Sequence, residues 1–229
     1  MPQLRDDPLS NDRRQGLKTA AAALMGLPLL GLGVGLGLSG CDGKGLNPLT
    51  PEAPKFNGVD ITGAEYAKAL SLTDPEGKRR SLAEFKGKVV VVFFGFTQCP
   101  DVCPTTMAEL AEVRRRLGAD GQRVQGVFVT VDPERDTAQV LGEYVKALDP
   151  SFIGLRGSVE EVTQAARDFK VFFQKVPSKD GKSYTMDHTA GSYVFDPQGK
   201  VRLFVRYGIG VDAWVADVQQ LLKEPAAKA

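Results

Sequence analysis

Two cysteines and one histidine are the residues of this sequence best suited to bind a metal ion or to carry out redox chemistry. The chain has 229 residues but only three cysteines and a single histidine, His188, so a soft-ligand site must use nearly all that are available. Cys99 and Cys103 are separated by three residues. Two thiolates and an imidazole suit Cu(I), and an open fourth position would also accommodate Cu(II). Zinc fits less well, because structural zinc sites usually have four protein ligands.

The cysteine pair lies between a predicted strand and a predicted helix. Val89 to Phe94 is a continuous Val and Phe run typical of a strand buried on both faces, and Pro104 to Leu117 has the apolar spacing of a helix. A helix N-terminus favours thiolate over thiol, which predicts lowered thiol pKa values for nucleophilic attack or for metal binding. Three intervening residues place the sulfurs about one turn apart, where they could form a disulfide or face one ion. A purely structural disulfide in so short a loop would contribute only about 2 kcal/mol.

The remaining apolar patterns predict an α/β, thioredoxin-like fold with a central mixed β-sheet flanked by helices, an extra N-terminal hairpin and insertions. A second buried strand after the first helix indicates a parallel βαβ unit. The elements predicted after Leu117 are a strand at Val124 to Val131, a helix at Thr137 to Leu148 that is capped by Asp136 or Thr137 and has Val140, Leu141, Tyr144 and Val145 on one face, a helix opened by the capping box Ser158 to Glu161, a hairpin of Gly191 to Phe195 with Val201 to Tyr207, and a helix at Val211 to Leu222.

His188 precedes the predicted late hairpin, at the entry to the strand Ser192 to Phe195. A lone histidine is more often a surface or core residue than a ligand. In a thioredoxin-like fold, however, the loop before this hairpin lies across the end of the sheet from the first helix. We therefore expect His188 to approach Cys99 and Cys103. Two thiolates give Cu(I) a first shell of net charge −1 and Cu(II) one of zero, so the same ligands can hold both oxidation states.

Residues 1–40 have the pattern of a bacterial lipoprotein signal peptide. A basic segment is followed by 22 uncharged residues, and Leu38-Ser39-Gly40-Cys41 resembles a lipobox, which predicts that Cys41 is lipidated. Arg13 and Arg14 also resemble a twin-arginine export signal. The alternative is an uncleaved membrane span, because 22 residues would cross about 30 Å of hydrocarbon. Both interpretations place the rest of the chain outside the cytoplasm.

The predicted organisation is therefore a signal peptide at 1–40, a flexible linker at 41–55, a domain at 56–224 and a tail at 225–229. The whole chain carries a formal charge of +1. Removing the signal peptide leaves 25 basic and 25 acidic residues. This balance excludes the broad basic surface of a nucleic-acid-binding protein, and it makes partner recognition depend on a local patch around the site.

Three segments together resemble the Sco/SenC family. They are Phe93 to Pro104, read as FFGFTQCPDVCP, Val131 to Thr137, read as VDPERDT, and Asp187 to Ala190, read as DHTA. The resemblance extends over about residues 56–224. It implies a membrane-tethered protein of thioredoxin fold that binds copper and helps to assemble the binuclear CuA centre of cytochrome c oxidase subunit II.

The resemblance also implies roles for individual residues. The family's copper ligands correspond to Cys99, Cys103 and His188, and Asp187 would orient or electrostatically tune the site. Asp187 is equally well explained as a surface aspartate in a loop. Asp132, Arg135 and Asp136 match the family's middle motif, although a helix cap and a salt bridge explain them as well. Core packing is the expected role of two nearby methionines, Met107 and Met186.

Two functions of different classes follow. The first is a copper metallochaperone on the outer face of the cytoplasmic membrane, loaded by another periplasmic copper chaperone and delivering copper to oxidase subunit II. The second is a thiol-disulfide oxidoreductase that keeps the CuA-site cysteines reduced. A peroxiredoxin-like peroxidase fits poorly, because that chemistry wants a hydroxyl three residues before the reactive cysteine, where this chain has Phe96. A general role in copper homeostasis or redox sensing stays open.

Overall fold

The computed structural model describes residues 55–224; Cys41, the predicted signal peptide, almost all of the predicted linker and the tail lie outside this range. No helix among the described residues is long and apolar enough to cross a bilayer. Two short 3₁₀ helices, Leu82–Phe85 and Gly118–Arg123, accompany the main elements. These elements are, in chain order, β1 (Val59–Asp60), β2 (Ser71–Thr73), β3 (Arg79–Ser81), β4 (Val89–Gly95), α1 (Val102–Arg116), β5 (Val124–Thr130), α2 (Ala138–Leu148), β6 (Ile153–Leu155), α3 (Val159–Asp168), β7 (Phe173–Pro177), β8 (Tyr184–His188), β9 (Gly191–Phe195), β10 (Val201–Arg206) and α4 (Val211–Leu222).

Six strands form the central sheet, in the order β1-β10-β9-β4-β5-β6. β4 runs parallel to β5 and antiparallel to β9, so the sheet is mixed. Every residue of β4 and β5 is buried, as expected of Val- and Phe-rich strands covered on both faces. Among the helices, α1 contacts both α4 and α2. The predicted α/β fold with a mixed sheet is confirmed.

Alternation along β4 directs successive side chains to opposite layers. Phe94 packs against Phe169, which follows α3, with ring centroids 5.1 Å apart. Gly95 instead lies against Cys103 in the first turn of α1. The core strand thus ends where the candidate site begins.

Most predicted elements are confirmed, including the late hairpin and α4. Ser158 and Glu161 form the predicted capping box of α3, and the Thr137 hydroxyl caps α2 by accepting the Val140 N–H at 3.3 Å. The extra N-terminal hairpin is the antiparallel pair β2–β3. Of the residues expected on one face of α2, Leu141 and Val145 are buried, whereas Val140 is 40% exposed.

The local geometry around the site differs from the sequence-based expectation in two places. The first helix begins at Val102, two residues before Pro104. His188 was expected in a loop, but it is the last residue of β8, which pairs with β7 in a separate two-stranded sheet. Neither β7 nor β8 was predicted. The hairpin β7–β8 is therefore the element that carries the histidine.

Candidate metal centre

Cys99 and Cys103 lie at the start of α1, directly after the central strand β4. Cys103 is the second residue of the helix, and its backbone N–H donates to the Cys99 Sγ at 3.4 Å. This contact places one sulfur over the unpaired donors of the first helical turn. The predicted position of the pair, between a buried strand and a helix N-terminus, is confirmed.

Cys103 is fully buried, whereas Cys99 is partly exposed. The close approach of the buried sulfur to β4 depends on Gly95, because a Cβ at that position would lie only 2.8 Å from the Cys103 Sγ. The two thiols therefore differ in access. A partner or reagent can reach Cys99, and Cys103 is enclosed by the core.

The imidazole of His188 approaches the cysteines from the end of β8. Its Nε2 lies 3.4 Å from the Cys103 Sγ, and its Nδ1 lies 3.1 Å from the backbone carbonyl of Thr189. A carbonyl can only accept, so Nδ1 carries the hydrogen and Nε2 presents its lone pair to the sulfur. Phe93 and Phe96 flank the ring at near-perpendicular angles, with centroids 5.9 and 5.8 Å from that of the imidazole.

The three ligand atoms lie within 4.8 Å of one another. Within residues 55–224, this is the group of His, Cys, Asp or Glu side chains that converges closely enough to hold a metal ion. The expectation that His188 approaches both cysteines is confirmed. Two sulfurs and an imidazole nitrogen make a soft donor set, and Cys99 and His188 leave one side accessible.

Burial dominates the titration of the site in the metal-free protein. It raises the pKa of the Cys103 thiol, and this effect exceeds that of a backbone hydrogen bond from Phe96, which lowers it. The expected lowering of the thiol pKa by the helix N-terminus is therefore wrong for Cys103. Burial likewise lowers the pKa of His188, opposed by the Thr189 carbonyl and by the charge of Asp187. Both effects favour neutral side chains until a cation binds.

Asp187 is exposed on β8, and its charge raises the pKa of His188. The ring nitrogen Nδ1 is held by the carbonyl of Thr189. An orienting role for Asp187 stays a prediction. The structure supports an electrostatic effect of Asp187 on His188. Met107 and Met186 are both buried in the hydrophobic core, as predicted.

Residues of the middle motif, Val131 to Thr137, bind the loop that carries Cys99, a role that the sequence left undecided. Asp136 is fully buried and accepts hydrogen bonds from Thr97, at 2.6 Å from the hydroxyl and 3.1 Å from the backbone N–H. Thr97 lies two residues before Cys99, so this carboxylate fixes the loop that carries the cysteine. Arg135 reaches both this loop and β8. The family motif was the available signal, but spacing alone does not reveal these contacts.

Comparison with known proteins shows that the SCO1/SenC family model matches residues 59–223. Among curated proteins, the chain is similar to the mitochondrial protein SCO2 homolog of Mus musculus, with 41% identity over 140 residues, which cover 60% of this chain and 54% of that protein. It is also similar to the SCO2-like protein of Rickettsia felis, with 36% identity over 154 residues, or 66% of this chain and 75% of that protein. The chain spans about half the length of the mammalian relatives.

Solved structures give the same result. The apo Sco1 protein of Thermus thermophilus has a TM-score of 0.66 and 40% identity, over 75% of this chain and 99% of that one. The copper-bound ScoI of Arabidopsis thaliana has a TM-score of 0.64 and 35% identity, over 69% and 98% of the two chains. The copper-bound ScoI of Bradyrhizobium japonicum has a TM-score of 0.61 and 39% identity, over 67% and 97%. These neighbours support the predicted fold class.

Proposed function

The chain belongs to the SCO1/SenC family, and on this premise we propose that it is a copper metallochaperone. Cys99, Cys103 and His188 bind one copper ion, as Cu(I) or Cu(II), and the protein delivers it to the CuA site of cytochrome c oxidase subunit II. Copper is the cargo, so no turnover of a small substrate is needed. The loading donor is another periplasmic copper chaperone.

The observation that carries the proposal is the convergence of the three soft ligands within 4.8 Å. Thiolates and imidazole match the ligand preference of Cu(I), and an accessible fourth coordination position also allows Cu(II) to bind. Two similar structures, from Arabidopsis thaliana and Bradyrhizobium japonicum, hold copper. Their similarity extends over at least 67% of this chain.

Unequal access to the ligands indicates how copper leaves. Cys99 and His188 are half-buried, and Cys103 is fully buried. A thiolate of the acceptor can therefore replace His188 or Cys99 first, and Cys103 releases the ion last. When copper is absent, the burial that raises the pKa of Cys103 keeps a proton on its sulfur. Copper uptake displaces that proton, and copper release returns it.

The test of binding is the copper content and absorption spectrum of the purified full-length protein. We expect one copper per chain, and loss of tight binding in Cys99→Ser, Cys103→Ser and His188→Ala. Cys41→Ser is the matched control, because it removes the chain's third cysteine and should leave copper content unchanged. Stoichiometric copper with an unchanged spectrum in His188→Ala would contradict the ligand assignment.

Delivery is tested by mixing the copper-loaded protein with the copper-free CuA domain of the same organism's oxidase subunit II. Formation of the mixed-valence CuA absorption, with matching loss of copper from the donor, is the expected result. The control is free copper buffered to the same activity. Equal rates from the buffer and from the protein would count against a chaperone role.

The arrangement of the thiols also supports a second candidate, a thiol-disulfide oxidoreductase. Cys99 is accessible and can attack a partner disulfide, and the Cys103 sulfur lies within 4.8 Å of the Cys99 sulfur, where it can resolve the mixed disulfide. In this reaction the two thiols of this chain become a disulfide, and a partner disulfide becomes two thiols. His188→Ala discriminates the candidates, because it removes a copper ligand and leaves both sulfurs. Normal oxidase assembly in that variant would favour the oxidoreductase.

We also propose that the protein is exported and anchored to the outer face of the bacterial cytoplasmic membrane. The lipobox ending at Cys41 supports this location, and that residue lies outside the described range. Mass spectrometry of the mature N-terminus tests it. A lipid-modified Cys41 is the expected result, and a mature chain that still begins at Met1 would instead favour an uncleaved span.

A further inference from the structure

The three ligands come from two separate parts of the fold. Cys103 lies in the first turn of α1, and Cys99 lies in the loop that joins α1 to β4, the buried strand of the six-stranded sheet. His188 ends β8, whose strand partner is β7 in a two-stranded sheet of its own. The distance between His188 and the sulfurs therefore depends on how the hairpin β7–β8 is held against the rest of the domain.

Arg135 makes contact with both parts at once. Its Nη1 donates to the Gln98 Oε1 at 3.1 Å, directly beside Cys99 in sequence. The same nitrogen donates to the backbone carbonyl of Tyr184 at 2.8 Å, at the first residue of β8. The guanidinium also stacks on the Tyr184 ring, with its carbon 3.8 Å from the ring centroid.

Asp132 fixes the position of Arg135. This buried carboxylate is paired with the Arg135 Nε, and its other oxygen accepts the Tyr184 hydroxyl at 2.9 Å. The Asp132 backbone N–H in turn donates to the Thr130 hydroxyl at 2.9 Å, at the end of β5. Arg135, Asp132 and Tyr184 thus form a closed set anchored to the central sheet. A guanidinium suits this task, because its planar donors can serve several partners in fixed directions.

We infer that Arg135 is a positioning residue for the metal centre, which holds the histidine-bearing hairpin at a fixed distance from the cysteine loop. Tyr184 and His188 lie at opposite ends of the same five-residue strand. An extended strand is stiff enough to transmit the position of one end to the other, roughly 13 Å away. The inference rests on the proposed copper function, and it adds a residue that does not touch the metal.

Other contacts keep the hairpin attached without Arg135, so its role is local. Met186 is buried in the core, Phe173 packs against the core, and the rings of Phe93 and Phe96 contact His188. We therefore expect Arg135→Ala to fold with the hairpin in place but free to shift. Misplacement of His188 should then weaken copper binding by about 10-fold, the lower end of the cost of losing a direct outer partner of a metal ligand, because Arg135 acts on the ligand only through the strand.

Arg114 is a matched control from the same chain. Its side chain is 14% exposed, against 20% for Arg135. It also donates to a backbone carbonyl, that of Val124 at 3.0 Å, and stacks on an aromatic ring, that of Phe152 at 5.7 Å. Arg114 follows Cys103 by eleven residues, about 16 Å along α1, so it cannot influence the ligands directly.

The experiment compares full-length wild type, Arg135→Ala, Arg135→Lys and Arg114→Ala. In the metal-free proteins, amide hydrogen exchange should accelerate in β8 of Arg135→Ala only. In the copper-loaded proteins, the Cu(II)-thiolate absorption and electron paramagnetic resonance spectra should change in Arg135→Ala, and Cu(I) affinity should fall. Arg135→Lys keeps the charge without the planar fork and should recover part of the affinity. Thermal unfolding measures the general loss of stability, which both alanine variants share.

Two outcomes would overturn the inference. One is an Arg135→Ala protein with wild-type exchange in β8 and wild-type copper spectra. The other is an Arg114→Ala protein with the same spectral and affinity changes, which would indicate general destabilisation. Failure of the proposed function looks different, because wild type itself would then bind no copper. Exchange in the metal-free proteins would still decide whether Arg135 holds the hairpin.

Discussion

The two halves of the candidate site are built in opposite ways. The cysteine half ends a strand in which every residue is buried, and Cys103 itself has no exposed surface. The histidine half is a hairpin with mostly exposed side chains, in which Met186 is the buried residue of β8. One half is therefore fixed by the core, while the other is held by one buried side chain and a few polar contacts. Three substitutions and one change of pH test this difference.

Truncating the core beneath the cysteine half should have the largest effect on stability. Phe94 has no exposed surface and packs against Phe169 with centroids 5.1 Å apart. Phe94→Ala leaves a cavity and should lower the free energy of unfolding by about 3–5 kcal/mol, measured by urea denaturation. A loss below about 1 kcal/mol would show that this half is not determined by core packing.

Truncating the buried residue of the hairpin should cost less. Met186→Ala should lower the free energy of unfolding by about 2 kcal/mol, at the low end for a buried methionine, because the hairpin can collapse onto the gap. Val176→Ala, at a side chain 37% exposed on the partner strand, is the control and should change it by less than about 0.5 kcal/mol. Equal losses in Met186→Ala and Phe94→Ala would remove the distinction between the halves.

A methyl group at Gly95 tests the close packing of the buried sulfur. Its Cβ would lie 2.8 Å from both the Cys103 sulfur and the Phe93 ring, so both must shift. We expect Gly95→Ala to lower the free energy of unfolding by about 1 kcal/mol and to change the copper absorption spectrum. Gly142→Ala is the control, because its methyl would meet only Pro75, at 3.2 Å. An unaltered spectrum in Gly95→Ala would mean that the sulfur has room to spare.

The two halves should also respond to pH in opposite directions in the metal-free protein. Burial raises the pKa of the Cys103 thiol above its ordinary 9.0. The contribution of Cys103 to the free energy of unfolding is therefore complete below pH 9.0 and is lost as the pH rises above 9.0. Burial lowers the pKa of His188 below its ordinary 6.5. The contribution of His188 to the free energy of unfolding is therefore complete above pH 6.5 and is lost as the pH falls through the folded-state pKa. Urea unfolding across pH measures both, and Cys103→Ala and His188→Gln should each flatten one limb only. A slope of the opposite sign on either limb would contradict the corresponding pKa direction.

The same contrast explains what the sequence could reveal. β4 and β5 were predictable because a run rich in Val and Phe is typical of a strand covered on both faces. The start of α2, with Asp136 or Thr137 as its cap, and the capping box at Ser158 were predictable because capping is local chemistry. The ligand trio followed from residue types together with the family's motifs, and the described geometry brings the three together.

What escaped prediction depends on contacts that are distant in sequence. β7 and β8 have no continuous apolar run, and they are strands because they pair with each other. His188 was therefore placed in a loop. The pKa of Cys103 was misjudged because desolvation outweighs the helix N-terminus, and burial depth cannot be read from spacing. Val140 matched the helical period, yet it lies on the exposed side of α2.

The aromatic rings beside His188 have a consequence for the electron affinity of the bound ion. Phe93 and Phe96 replace water around the imidazole with apolar surface, at 5.9 and 5.8 Å between centroids. With two thiolates, the Cu(I) form of the site carries a net charge of −1 and the Cu(II) form none, and a weakly polar surrounding penalises the charged form. These rings should therefore lower the reduction potential of the copper. A redox titration of Phe96→Ser should give a higher potential than one of Phe96→Leu, and equal potentials would refute the idea. By this reasoning the core of the fold favours the oxidised state of the cargo as well as holding its ligands.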